Sequence, residues 1–163
     1  MSEIVEKETA ETAPDGTITI ENRVISHEDL RSVVFEQVDL DGAVISASNL
    51  YCVAITGCNL NQTRIEESGM EDAQFRNMGM KNASFQAVDL HGSSFADADL
   101  TGSQVKHLDM SSSKFEHVNL NESTYESVAF VGAKFNDCVW DDAEINGIPV
   151  RDLLAAYMEV QNN

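Results

Sequence analysis

Histidine and cysteine are the side chains of this sequence best suited to metal binding or nucleophilic chemistry. The four histidines are His27, His91, His107 and His117. A zinc site needs three or four ligands, and its His and Cys residues are usually grouped at short, regular spacings. None of the four histidines pairs with another ligand residue at such a spacing. The sequence therefore predicts no metal site.

The three cysteines, Cys52, Cys58 and Cys138, form neither a CxxC pair nor a disulfide framework, and reduced thiols are the simplest interpretation. Cys58 and Cys138 occupy positions that also hold small core residues. The glycines are dispersed rather than gathered in a phosphate-binding loop, and serine is too frequent to define a Ser–His–Asp arrangement. We expect no catalytic residue, no cofactor and no enzymatic activity.

Carboxylates are the most abundant charged side chains, with 28 acidic against 10 basic residues and a net charge of −18 at pH 7. Such a surface repels nucleic acids and anionic membranes, so direct binding to either is not expected. No apolar stretch approaches the roughly 20 residues that cross a bilayer, and the N-terminus lacks a secretory signal pattern. These features predict a cytoplasmic protein whose partner is another protein.

A repeat of five residues positions all of these side chains. A large apolar residue stands at every fifth position from Leu30 to Ile145, which makes 24 pentads without an insertion. A helix turns about 100° per residue and would scatter such a column around its circumference. A continuous strand would place alternate members on opposite faces. The chain must therefore turn once per pentad.

Two further columns support this register. A mostly small residue stands two positions before each large apolar residue, and on extended backbone the two face the same way. Two positions after it stand residues that tolerate the left-handed backbone of a tight turn. The glycines of this column are Gly42, Gly57, Gly92, Gly102, Gly132 and Gly147, and its Asp and Asn residues are Asp72, Asn77, Asn82, Asp97, Asp137 and Asp142.

The resulting unit, small–Asp/Asn–Leu/Phe–x–x, as in ADLTG at 98–102 and VNLNE at 118–122, resembles the pentapeptide-repeat family. The resemblance covers about three quarters of the chain. It implies an all-β fold, a right-handed quadrilateral β-helix in which four pentads complete one square coil. About six coils follow, residues four pentads apart stack, and one ladder contains Phe75, Phe95, Phe115 and Phe135.

The sequence divides the chain into four parts. Residues 1–16 are polar and acidic enough to predict a disordered tail. Residues 17–29 are predicted to form an irregular N-terminal cap, residues 30–147 the β-helix, and residues 148–163 a C-terminal helix and tail.

The C-terminal helix is predicted from a change of period. Pro149 suits a first helical turn, and Val150, Leu153, Leu154 and Tyr157 recur at helical spacing. A capping helix over Trp140 and Ile145 would protect the open end of the β-helix. In one branch of the family this region also forms a dimer, so the helix is predicted to cap the last coil alone or to cap it and form a homodimer.

Asp or Asn precedes many of the Leu and Met positions and has two interpretations. These side chains can satisfy turn amides, or they can form a functional acidic ladder. We favour the structural role for any single one of them. The residues are Asp29, Asp39, Asn49, Asn59, Asp89, Asp99, Asp109 and Asn119.

Two functions remain open. We favour a rigid acidic interaction scaffold whose partner the sequence does not identify. The alternative, which the family resemblance implies through its quinolone-resistance members, is a mimic of duplex DNA that binds DNA gyrase or a related topoisomerase. In the scaffold interpretation the acidity serves solubility alone. If the acidic face instead binds a partner, the predicted contact surface consists of Asp39, Asp41, Asp99, Glu122, Asp141 and Asp142.

Overall fold

The computed structural model of the chain describes residues 11–12, 18–19, 24–26 and 29–161. Most of the predicted disordered tail at 1–16 and part of the predicted cap at 17–29 lie outside the described residues. The strands and the helix, in chain order, are β1 (Glu11–Thr12), β2 (Ile18–Thr19), β3 (Val24–Ser26), β4 (Val34–Glu36), β5 (Val38–Asp39), β6 (Val44–Ser46), β7 (Ala54–Thr56), β8 (Arg64–Glu66), β9 (Gln74–Gly79), β10 (Ser84–Gln86), β11 (Ser94–Asp99), β12 (Gln104–Lys106), β13 (Lys114–Glu116), β14 (Thr124–Glu126), β15 (Lys134–Asn136), β16 (Glu144–Ile145), β17 (Ile148–Pro149) and α1 (Val150–Gln161).

The chain winds as a β-helix of about six turns. Each strand of the repeat pairs in parallel with the strand four pentads away, so that Phe95 lies beside Phe75 on one side and Phe115 on the other. Single bridges such as Asp39 with Asn59 follow the same offset. Four pentads therefore close one coil, as the family resemblance implies. With neighbouring coils about 4.8 Å apart, the rod is roughly 29 Å long.

The square coil has four faces, which we name by a member of each central column. The Phe35 face lies opposite the Ile25 face, and the Leu30 face lies opposite the Leu40 face. The Phe35 face contains β4, β7, β9, β11, β13 and β15, and the Ile25 face contains β3, β6, β8, β10, β12, β14, β16 and β17. The Leu30 column is Leu30, Leu50, Met70, Leu90, Met110 and Phe130, and the Leu40 column is Leu40, Leu60, Met80, Leu100, Leu120 and Trp140.

Side chains fill the interior, and the predicted phenylalanine ladder is present. Phe75, Phe95, Phe115 and Phe135 stack with ring centroids 4.5 to 4.9 Å apart and nearly parallel planes. The first three are fully buried. Burying a side chain of this size contributes roughly 2 to 3 kcal/mol, so the column is a large part of the stability of the rod.

Small hydroxyl side chains in the interior tie successive coils together. The hydroxyls of Thr63, Ser93, Ser103 and Ser113 each donate a hydrogen bond of 2.8 to 2.9 Å to the backbone carbonyl 23 residues earlier. Each small residue therefore satisfies its own polar group while leaving room for the large apolar side chain two positions on. A buried hydroxyl without such a partner would be costly.

Tyr125 is the exception in this interior. It is 1% exposed, and its hydroxyl has no hydrogen-bond partner. The neighbouring Ser123 hydroxyl donates to the Leu120 carbonyl of its own coil, unlike the hydroxyls that reach the preceding coil. Burial raises the pKa of the Tyr125 phenol, because the apolar interior disfavours the charged phenolate.

Every corner of the rod uses one residue with left-handed backbone. All positions ending in 2 or 7 from Ser32 to Gly147 have φ between 48° and 74°. The glycines and the Asp and Asn residues predicted at these corners are confirmed. Residues without a special tolerance for this conformation, such as Ala47 and Ala87, adopt it as well. The closure of the coil therefore imposes the corner conformation whatever the side chain.

The two ends differ. At the N-terminal end β2 and β3 stack on β5 and β6 with the same four-pentad offset, and β1 pairs antiparallel with β2. At the C-terminal end β17 folds back antiparallel on β16. The predicted C-terminal helix is present as α1, and its first residue, Val150, is buried and donates its N–H to the Ala143 carbonyl.

The rest of the predicted capping stripe does not cover the last coil within this chain. Leu153, Leu154 and Tyr157 are 39%, 53% and 60% exposed. The expectation of a cap holds for Val150 only, because helical spacing shows which residues share a face but not what that face packs against. The dimer half of the expectation stays a prediction.

The corner geometry predicts the effect of adding one methyl group. A Cβ at Gly102 would lie 2.5 Å from the Asn82 side-chain oxygen, whereas a Cβ at Gly42 has no atom within 4 Å, and both residues have left-handed φ. We expect Gly42→Ala to lower the free energy of unfolding by about 1 kcal/mol through its φ alone. Gly102→Ala should cost about 1 kcal/mol more, since Asn82 must leave its rotamer. Urea unfolding measures both.

Asn82→Gly in the Gly102→Ala background provides the control, because it removes the oxygen that the methyl group meets. It should recover most of the additional loss. Equal losses for the two alanine variants would show that contact with the neighbouring coil does not limit this corner.

The unpartnered hydroxyl of Tyr125 predicts that Tyr125→Phe is more stable than the wild type. The expected gain in the free energy of unfolding is about 1 kcal/mol at pH 7, since a buried, unsatisfied hydroxyl costs roughly that or more. Because the folded-state pKa is raised, the wild type keeps its full stability below the unfolded value of about 10 and loses stability as pH rises above it. The gap between the two proteins should widen above that pH.

Tyr157→Phe is the matched control, since Tyr157 lies on α1, is 60% exposed in the single chain and, unlike Tyr125, is not buried in the interior of the rod. Unfolding by urea at pH 7 and in alkaline buffer should leave this control close to the wild type. A Tyr125→Phe variant less stable than the wild type at both pH values would contradict the unsatisfied hydroxyl.

Candidate functional site

The Asp and Asn residues that precede the Leu and Met centres bond to their own turns. In seven of the eight predicted positions, a side-chain oxygen accepts the backbone N–H two residues later at 2.8 to 3.1 Å. Asp29 instead pairs with the Arg31 guanidinium at 2.7 Å. The structural role that we favoured for single members of this set is therefore present at Asp39, Asn49, Asn59, Asp89, Asp99, Asp109 and Asn119.

At Asp99 and Asp109 the turn bonds also lower the pKa of the carboxyl group. At Asp109 the Ser111 hydroxyl and amide lower the pKa of the carboxyl group. At Asp99 partial burial raises the pKa, but the Thr101 hydroxyl and amide together with Lys81 outweigh it, and the net shift is downward. A hydrogen bond donated to a carboxylate favours its charged form. The turn bond and the surface charge therefore reinforce each other.

The structure places all six predicted contact residues on the Leu40 face and the corner that follows it. They nevertheless form two groups along the rod. Asp39 and Asp41 lie near the N-terminal end, and up to five coils, or about 24 Å, separate them from the group at the other end. Asp99 lies between the groups and pairs with Lys81 at 3.2 Å.

We call the second group, Glu122, Asp141 and Asp142, the acidic corner. The backbone N–H of Glu122 donates to the Asp141 carbonyl at 2.8 Å, and the backbone N–H of Asp141 donates to the Asn121 side-chain oxygen at 2.8 Å. Arg151 of α1 approaches the Asp142 carboxylate at 3.4 Å. The acidic corner is thus held by backbone bonds on one side and partly neutralised by the helix on the other.

Negative charge is concentrated on two opposite faces, each counted with its following corner. The Leu40 face carries the six predicted carboxylates against Lys81, a net charge of −5. The Leu30 face has a net charge of −4, whereas the Phe35 and Ile25 faces have −1 and −2 with histidine neutral. The prediction named only the Leu40 face. The charges of the Leu30 face are those of Asp29, Glu71, Asp72, Asp89 and Asp109 against Arg31.

One histidine lies between carboxylates of the neighbouring coils. His117 Nδ1 is 3.6 Å from Asp97 Oδ1, and His117 Nε2 is 3.8 Å from Asp137 Oδ2. Both aspartates are among the predicted corner residues, but their contact with His117 is not predicted from the sequence. The four-pentad spacing places the three residues in one column, but the pattern does not determine the rotamers that bring their side chains together.

Groups capable of other chemistry are dispersed. Burial raises the pKa of the Cys58 and Cys138 thiols, which disfavours the reactive thiolate. Among the described residues, no three His, Cys, Asp or Glu side chains are grouped so that they could hold a metal ion. His27 lies outside the described residues. Across the same part of the chain, no helix has the length and apolar character needed to cross a membrane.

The chain shares its architecture with solved structures. A pentapeptide repeat protein from the Arabidopsis thaliana thylakoid lumen has a TM-score of 0.52 and 21% identity, over 80% of this chain and 74% of that one. QnrB1, a plasmid-mediated fluoroquinolone resistance protein, has a TM-score of 0.45 and 14% identity over 74% and 85%. Rfr23 from the cyanobacterium Cyanothece 51142 has a TM-score of 0.42 and 17% identity over 69% and 88%. No curated protein matches the chain.

The family comparison agrees with the coil geometry. The family model described as the pentapeptide repeat region matches residues 28–105. Beyond that match, the same four-pentad pairing offset continues through β13, β14, β15 and β16. The family comparison therefore identifies a pentapeptide repeat region in this chain, and the coil geometry extends that region to β16.

Proposed function

We propose that the protein is a rigid, non-enzymatic scaffold that binds a basic surface of another protein through its Leu40 face. The observation that carries this proposal is the gathering of six carboxylates on one side of a filled rod. Two of them, Asp39 and Asp99, are fixed by turn bonds, and Asp141 is fixed through its backbone. A surface whose charges are already in place loses little conformational entropy on binding.

Complementary charge would act on the approach of the partner as well as on the bound state. Clustered carboxylates raise the rate at which a basic protein reaches the surface, and this effect falls with ionic strength. The weakly charged Phe35 and Ile25 faces would contribute little to such steering. The proposal therefore assigns recognition to particular faces rather than to the overall acidity of the chain.

A finer form of the proposal is a mimic of duplex DNA that binds DNA gyrase or a related topoisomerase, which the family resemblance implies. Residues 29–145 carry 19 acidic and 7 basic residues, a net charge of −12. Over roughly 28 Å of rod this is about one net charge per 2.3 Å, compared with about 1.7 Å in duplex DNA. Of this net charge, −9 lies on the two opposite Leu40 and Leu30 faces, so an acidic rod of this kind favours a partner with a DNA-binding surface.

We also propose that the C-terminal helix joins two copies of the chain. Its exposed apolar residues, Leu153, Leu154, Tyr157 and Met158, form a stripe that a second α1 would cover in a two-fold contact. The acidity of the rod increases towards this end, from −4 over residues 29–88 to −8 over residues 89–148. A dimer formed there would bring the two more acidic halves together at its centre.

Removing the charges of the Leu40 face without breaking its turns tests the binding proposal. Asp→Asn at 39, 41, 99, 141 and 142 with Glu122→Gln removes six charges and keeps every side-chain acceptor in place. We expect this variant to lose the partners that the wild type captures from an extract of its own cells. In a gyrase supercoiling assay, with and without a fluoroquinolone, it should also lose any inhibition or protection.

The control variant removes six charges from the Phe35 and Ile25 faces, through Glu→Gln at 36, 66, 67, 116, 126 and 144. It has the same net charge as the first variant and should behave like the wild type. Equal loss in both variants would assign the effect to overall charge and overturn the proposed face. If the wild type has no effect on gyrase but the captured partners depend on the Leu40 face, the scaffold stands and the DNA mimic fails.

Charge introduced into the helix stripe tests the dimer. The wild type should have a solution mass near twice the 17.9 kDa of the chain, and Leu154→Glu should reduce it to that of a monomer. The monomeric variant should still unfold cooperatively, since Leu154 is 53% exposed in the single chain and is not part of its core, but at a lower temperature than the wild type because it lacks the stabilisation of the dimer. Sedimentation equilibrium measures the mass.

Val34→Glu is the control for the dimer, because Val34 is exposed at the other end of the rod. It should leave the mass unchanged. A wild type that remains monomeric at micromolar concentration would rule out this interface.

A further inference from the structure

Two asparagines on the Leu40 face reach across to the next coil. The side-chain oxygen of Asn61 accepts the backbone N–H of Lys81 at 2.8 Å, and that of Asn121 accepts the backbone N–H of Asp141 at 2.8 Å. The two asparagines lie three coils apart. Each stands in the motif Asn-Leu-Asn, at 59–61 and 119–121.

These contacts occur where the next coil lacks a turn-capping side chain of its own. At Asn59 and Asn119 the side chain accepts the N–H two residues later, as elsewhere in the column. The equivalent residues one coil later are Gly79 and Val139, which have no side-chain acceptor. The amides of Lys81 and Asp141 are therefore satisfied from the preceding coil.

We propose that Asn121 is a positioning residue for the acidic corner. Together with the backbone N–H of Glu122, which donates to the Asp141 carbonyl, it holds both polar groups of the Asp141 backbone. Asp142 follows directly in left-handed backbone, so the direction of both carboxylates depends on this anchorage. The inference rests on the proposed function, since it assigns Asn121 a part in binding a basic partner.

Asn61 provides a matched control within the same chain. It makes the same contact at the same distance, and both asparagines are half-buried. The residue that Asn61 holds is Lys81, whose positive charge lies outside the acidic corner and pairs with Asp99. The two variants remove the same hydrogen bond, but only one of them loosens the carboxylates of the acidic corner.

The test compares Asn121→Ala with Asn61→Ala in the full-length protein. In hydrogen exchange followed by NMR, Asn121→Ala should speed exchange of the Asp141 amide about 5-fold, and Asn61→Ala should do the same for Lys81, as expected for one lost hydrogen bond. With a lysine homopeptide as the probe, Asn121→Ala should weaken binding about 2- to 3-fold, since exposed charge pairs are worth little each. Asn61→Ala should not weaken binding, because loosening Lys81 displaces no carboxylate and can only free Asp99.

Asn121→Asp retains the acceptor and should restore slow exchange of the Asp141 amide. Unchanged exchange in Asn121→Ala, or equal weakening of binding by both alanine variants, would overturn the positioning role. Asp141→Asn with Asp142→Asn separates this failure from failure of the proposed function. If that double variant binds the lysine peptide as the wild type does, the acidic corner is not a binding surface and Asn121 has no part in one.

Discussion

The structure depends on one constraint, which is that the backbone must change direction in every pentad and still bond to the coils on either side. Parallel pairing fixes the offset at four pentads, and the corner meets this requirement with a left-handed residue in each pentad. Both the filled interior and the outward columns follow from that offset. Whether a side chain is buried, and on which face it lies, therefore follows from its position in the pentad and its side of the square.

Under the same constraint the acidic residues fall into two classes with different roles. Carboxylates directly before a Leu or Met centre accept a hydrogen bond from a turn amide. The side-chain oxygen of Asn accepts the same bond at Asn49, Asn59 and Asn119, so the turn requires an acceptor but not a charge. Carboxylates after the centre, such as Asp41 and Glu122, have no turn bond of this kind that would explain their type. The carboxylates after the centre therefore indicate a binding partner more directly than those before it, although the carboxylates before the centre recur more regularly.

The period of five predicts most of the fold because it is local, and the core from Leu40 to Tyr125 could be assigned position by position. The gathering of the six carboxylates on one side could also be predicted, since it follows from the four-pentad closure that the family implies. The left-handed conformation of Ala47 and Ala87 could not, because coil closure imposes it against the preference of the side chain. Contacts that cross from coil to coil, such as those of His117 and Asn121, depend on rotamers that the pattern does not contain. The stripe on α1 predicts either a cap alone or a cap that also forms a homodimer, because an apolar stripe indicates a covered face without identifying what covers it.

The uninterrupted four-pentad offset has a consequence for changes in chain length. Insertion or removal of four pentads adds or deletes one whole coil and leaves every column aligned. Deletion of a single pentad after Val105 would instead rotate everything downstream by a quarter turn, and Asp141 and Asp142 would leave the side that holds Asp39 and Asp41. Deletion of two pentads would exchange the two acidic sides of that part of the rod. Length changes in this protein act as rotations of its surface, with one pentad as the unit of angle.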